Sequence, residues 1–143
     1  MAYPTDNCQD YPPDGYRSPR FPSLCWPPES GGCALYSVFD SWRFTLLWTL
    51  ILYALFHLGA TGVALFMQVG KRRSVWKYLV AVPFVYFIIA GVEALVAGSI
   101  VGAVLGAVYI AGCYEISTWI PFIWGWINVL TLIVSSFTIQ GGL

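Results

Sequence analysis

Charge is what this sequence has least of. Seven basic and seven acidic residues make up a tenth of 143 and cancel one another. With no net positive field and a single short basic run, no nucleic-acid partner is expected. Histidine occurs once, at His57, and no two cysteines stand in a CxxC pair, so neither a zinc site nor any other cofactor is expected. Enzyme signatures are also missing: there is no P-loop, no GxSxG, no HExxH and no GxGxxG followed by a ribose-binding acid. His57 and Glu93 with a serine would look superficially like a hydrolase triad, but nothing ties a particular serine to His57, and intramembrane serines commonly bond their own helix. No enzyme of covalent chemistry is therefore expected. The first 32 residues lack the basic start, apolar core and small-residue cleavage site of a secretory signal, which leaves the first membrane helix as the expected targeting signal.

What is present is apolar residue, at 58% of the chain, far above soluble-protein usage. The pattern predicts an all-α fold, a polytopic bundle of three membrane spans preceded by an irregular proline-rich tail. The tail, residues 1–43, holds seven of the nine prolines before Gly32 and shows neither a helical nor an alternating period. Its last stretch, Cys33 to Trp42, has Leu35, Phe39 and Trp42 at helical spacing. That stretch reads either as a short helix lying in the interface or as the first turns of the first span. The membrane domain, residues 44–143, has spans at about 44–69, 78–112 and 119–137. The middle one is ambiguous, because 35 residues rise about 52 Å as one helix yet hardly accommodate two crossings. One long helix bent at Pro83 is preferred to an interrupted one, since no polar turn breaks the run.

Charge distribution gives orientation. Residues 1–43 carry three basic residues against five acidic ones, whereas Gly70 to Lys77 carries Lys71, Arg72, Arg73 and Lys77 with no acid. The positive-inside rule then places this connector in the cytosol and the tail on the lumenal side. Cys8, Cys25, Cys33 and Cys113 all fall on that non-cytosolic side, where an oxidising compartment permits disulfides. Four cysteines allow three complete pairings, among which sequence does not choose, although Cys25 and Cys33 enclose a loop that closes at low entropic cost.

Two patterns lie inside the spans. Ala90, Ala94, Gly98, Gly102 and Gly106 recur every fourth residue, with Gly91, Ser99, Ala103 and Ala107 beside them, so the second span has one wide face without bulk. Such faces let helix backbones approach closely in lipid. The other pattern is polar: Thr49, Tyr53, His57 and Thr61 stand four apart on the first span, and Asn128, Thr131 and Ser135 follow one face of the third. Glu93 is the one charge inside the second span. These groups either line a polar furrow or bond their own backbone and stitch helices together.

The segment Leu47 to Phe66, LWTLILYALFHLGATGVALF, resembles the first span of the transmembrane protein 170 family. The basic connector, GAVYIAG at Gly106 to Gly112 and IPF at Ile120 to Phe122 follow in that family's order. The resemblance covers roughly Leu47 to Phe137. It implies a three-span protein of the endoplasmic reticulum and nuclear envelope with a lumenal N-terminus. It further implies a link to membrane shaping and, as a proposed activity, energy-independent scrambling of phospholipids beside bridge-like lipid-transfer proteins. His57 matches the family's phenylalanine-histidine pair, and Cys25 and Cys33 look like the paired cysteines ahead of its first span. Glu93 matches no family position, and the glycosylation signal of some members is absent. Two functions compete on these grounds: a scramblase using the polar furrow, and a non-catalytic membrane-shaping or assembly subunit that docks a partner helix on its small-residue face.

Overall fold

The computed structural model describes residues 15–26, 33–68 and 76–140. The basic residues Lys71, Arg72 and Arg73, Cys8 and most of the prolines of the tail lie outside the described residues. Five elements follow in order: β1 (Ala34–Leu35), α1 (Val38–Gln68), α2 (Trp76–Ala111), β2 (Ile116–Ser117) and α3 (Trp119–Gln140). All three helices are long and apolar enough to cross a membrane. Their outward surfaces carry the large apolar side chains that a lipid environment requires, among them Phe66, Phe84, Ile100, Val104 and Phe137.

α1 starts six residues before the expected span. Ser37 accepts a hydrogen bond from the Phe39 amide at 3.2 Å, and Asp40 lies in the first turn, so a capped, dipole-matched N-terminus is encoded ahead of the apolar run. Residues 38–42 are thus the first turns of α1, while Ala34 and Leu35 are extended, and no separate interfacial helix forms there. α2 is one helix of 36 residues with Pro83 inside it. It ends in a Schellman motif: the Tyr114 amide bonds the Tyr109 carbonyl and the Cys113 amide bonds that of Ile110. Cys113 takes the left-handed position at φ 55°, which glycine usually fills, and is itself disulfide-bonded.

α1 is the centre of the bundle. α2 and α3 both pack along it and meet each other only briefly. The α1–α2 contact runs through the glycine row. A Cβ added at Gly98 would lie 3.1 Å from Leu46 Cα, at Gly102 2.9 Å from Trp42 Cα, and at Gly106 2.9 Å from Val38 Cα. Backbone meets backbone along two full turns, which only glycine permits. Ala90 and Ala94 continue the buried row, Ala94 against Leu52, Tyr53 and Val129. The face expected to dock a partner helix is therefore occupied by the chain's own first helix. The neighbouring row stays open, with nothing within 4 Å of a Cβ at Gly91. Gly125 does for α3 what the row does for α2, its Cβ position lying 3.2 Å from Trp48 Cβ.

One end of the bundle is closed by a cap. β1 and β2 pair antiparallel, Ala34 opposite Ser117 and Leu35 opposite Ile116, which brings the entry to α1 beside the α2–α3 connector. Leu35, Phe44 and Ile116 form a buried cluster beneath Phe21, Tyr109 and Ile120. Residues 15–26 are irregular, yet they are docked. Phe21 packs on Phe44 and Trp48, Tyr16 donates to the Ala34 carbonyl at 2.9 Å, and Trp119 Nε1 donates to the Cys25 carbonyl at 2.7 Å. Cys25 and Cys33 are joined in a disulfide with Cα atoms 6.1 Å apart. Trp48 and Trp119 are consequently built into the cap.

The indole bond offers a direct test of this cap. Trp119→Phe keeps most of the ring packing and removes a hydrogen bond worth about 1 kcal/mol. Opening of residues 15–26 should rise about fivefold, read as faster tryptic cleavage after the exposed Arg17 and Arg20 in purified protein. Unchanged cleavage would mean that the segment is held without this bond.

Candidate functional site

Below the cap the helices exchange polar contacts. Thr45 donates to the Ser41 carbonyl and Thr49 to the Thr45 carbonyl, each at 2.8 Å, so both hydroxyls are spent on their own helix. Thr49 Oγ1 keeps a lone pair free and accepts from Asn128 Nδ2 at 3.1 Å, while Tyr53 donates to the Asn128 main-chain oxygen at 3.2 Å. One residue of α3 is thereby tied to two successive turns of α1. His57 Nδ1 lies 2.8 Å from the Tyr53 carbonyl, and since a carbonyl only accepts, Nδ1 carries the proton. In the neutral ring that leaves Nε2 as an acceptor.

Further from the cap a groove lies between α2 and α3 with α1 as its floor. It consists of two recesses that share Tyr53, Glu93 and Leu132. One, of about 300 Å³, reaches past His57 and Tyr86 to Ser136; the other, of about 420 Å³, reaches past Asn128 and Thr131 to Ser135. Asn128 to Ser136 spans about 12 Å of helix. The walls are mostly apolar, and neither recess is lined by a lysine or arginine. Glu93 stands at the middle of α2, is exposed, and has no hydrogen-bond or ion-pair partner among the described residues. A membrane helix seldom carries such a group facing lipid tails, because a carboxylate near the bilayer centre costs about 2.5–3.5 kcal/mol on insertion scales.

Comparison with known proteins adds a family. The model of the family described as Transmembrane protein 170A/B-like matches residues 34–143. The chain belongs to this transmembrane protein 170 family. A Saccharomyces cerevisiae relative, described as Uncharacterized protein YPR153W, is 34% identical over 132 residues, covering 90% of this chain and 91% of that one. No solved structure matches. The match begins at Ala34, so β1 and the cap strand pairing fall within the transmembrane protein 170 region, whereas residues 15–26 precede it.

Within this family member, the polar positions singled out in the sequence divide into three groups. Tyr53, His57, Glu93, Asn128, Thr131 and Ser135 line the groove, although Thr131 and Ser135 also donate to the carbonyls of Ile127 and Leu132. Thr49 is fully buried between α1 and α3 and lines neither recess. Thr61 lines neither recess as well. A four-residue step overshoots one helical turn by about 40°, so three such steps carry the stripe about 120° around α1, from the interior at Thr49 to the flank at Thr61. Sequence reading missed Tyr86 and Ser136, whose signal was weak: Tyr86 is one aromatic among many in an apolar run, and Ser136 stands next to Ser135 but off the three-and-four spacing that defined the polar face. It also missed the cap, because aromatic docking of an irregular segment has no period.

Proposed function

We propose that this transmembrane protein 170 family member is an energy-independent phospholipid scramblase of the endoplasmic-reticulum membrane, with no covalent chemistry, acting beside a bridge-like lipid-transfer protein. The observation that carries this reading is Glu93, a carboxyl at mid-helix on the wall of an open groove between α2 and α3, with no hydrogen bond or ion pair among the described residues. A headgroup crosses hydrocarbon at high cost because nothing there replaces its hydration. Tyr53, His57, Glu93, Asn128 and the serines of α3 offer a strip of donors and acceptors on which water and a headgroup can rest while the acyl chains stay in lipid. The tail and the α2–α3 connector share the capped end, where Cys25–Cys33 and the disulfide at Cys113 also lie, and this supports a lumenal placement of that end. The alternative of a subunit docking a partner on the glycine row is disfavoured, since α1 fills that row.

Purified protein in liposomes with a trace of fluorescent phospholipid tests the proposal. A scramblase lets an external quencher reach nearly all of the label, without added nucleotide, in every vesicle that holds protein. Quenching that stops at the outer-leaflet half, as in empty vesicles, would overturn the reading.

A further inference from the structure

We propose that the groove recognises the ammonium end of zwitterionic headgroups, choline above all, and discriminates against anionic lipids; this rests on the scramblase reading of the same groove. The recess that His57 helps to line contains one carboxyl, that of Glu93, and neither it nor its neighbour is lined by a lysine or arginine. A phosphate entering it would meet no lysine or arginine. A cation would meet the Glu93 carboxyl, and aromatic side chains as well. Tyr53, His57 and Tyr86 stand as a consecutive array, with ring centroids 5.9 Å apart for the first pair and 4.9 Å for the second, and Phe56 lines the same recess. Quaternary ammonium groups are weakly hydrated and bind where a ring face and an anion converge, because the ring quadrupole attracts the charge without demanding hydrogen bonds. At about 300 Å³ the recess lies at the lower end of ligand-pocket sizes, which suits a headgroup and excludes a whole lipid. Tyr53 and Tyr86 come from different helices, so the array is a product of the fold that neither helix provides alone.

The experiment compares tail-labelled phosphatidylcholine with tail-labelled phosphatidylglycerol, each as a trace in otherwise identical vesicles holding the purified protein. Wild type should exchange the choline lipid at least about threefold faster. Glu93→Gln, which keeps a donor and an acceptor but removes the charge, should bring the ratio to near one. Tyr86→Leu, which keeps the carboxyl and removes a ring face, should lower the choline rate and leave the glycerol rate within twofold, and it supplies the comparison if Glu93→Gln exchanges too slowly to measure. Equal wild-type rates for the two lipids would overturn headgroup recognition while leaving the scramblase reading intact. Absence of exchange for both would overturn the two together, and a ratio that survives both substitutions would place selectivity outside this recess.

Discussion

Gly102→Leu should destabilise the protein by about 3 kcal/mol or more, the top of the usual range for overpacking. The added Cβ would sit 2.9 Å from Trp42 Cα, 3.0 Å from Thr45 Cβ and 3.1 Å from the Trp42 carbonyl oxygen. Two of those three atoms are backbone, so no rotamer change relieves the contact and the helices must separate. Separation would pull on the same seam at Gly98 and Gly106, whose Cβ positions also lie about 3 Å from α1 backbone. Gly91→Leu is the control. It gains the same helix propensity, about 0.8–1 kcal/mol, but meets nothing within 4 Å. Thermal unfolding in mild detergent should therefore show Gly102→Leu melting far below wild type and Gly91→Leu at or slightly above it. Equal melting of the two variants would show that α1 does not occupy the row.

Glu93→Leu should move stability and activity in opposite directions. A carboxyl at mid-helix with no hydrogen bond or ion pair among the described residues is a cost to the folded protein in the membrane, and leucine removes a group charged at about 2.5–3.5 kcal/mol on insertion scales. Expression and melting temperature should hold or rise. Lipid exchange should fall about ten- to a hundredfold, because a hydrogen bond to a charged group contributes about 1.5–3 kcal/mol and each 1.4 kcal/mol of barrier is a tenfold change in rate. A residue retained only to hold helices together would behave otherwise: its loss would lower the melting temperature and drag the activity down with it. Wild-type exchange in Glu93→Leu would remove this position from the furrow.

The spans were legible in the sequence because lipid imposes one rule on every residue facing it. Runs of twenty or so apolar positions and a basic connector mark three spans, and three helices among the described residues are long and apolar enough to cross a membrane. Glu93 was legible for the same reason: in such a background a single carboxyl stands out. What the glycine row touches was not legible. Spacing reports that a face lacks bulk, and says nothing about whether a neighbour in the same chain or another protein fills it. The complementary surface on α1, built from Val38, Trp42, Thr45 and Leu46, mixes branched, aromatic and polar residues and has no signature of its own. The roles of the hydroxyls were likewise hidden. Thr49 and Thr61 look alike in the sequence, and only the accumulated rotation of α1 sends one inward and the other aside.

The pairing of Ala34 with Ser117 and Leu35 with Ile116 joins residues about eighty positions apart, and Tyr36 donates to Glu115 across the same seam at 2.8 Å. A chain emerging from the ribosome makes the first of these strands long before the second exists. Until α2 and the connector have followed it into the membrane, β1 and the aromatic residues beside it wait without partners, since contacts of high sequence separation form late and at an entropic cost. Assembly of the cap therefore reports that synthesis has passed residue 117 and that α2 has turned back to the starting side. A chain truncated before β2 would leave Leu35 and Phe44 without Ile116, an uncovered apolar surface of the kind that makes partly assembled chains prone to aggregate.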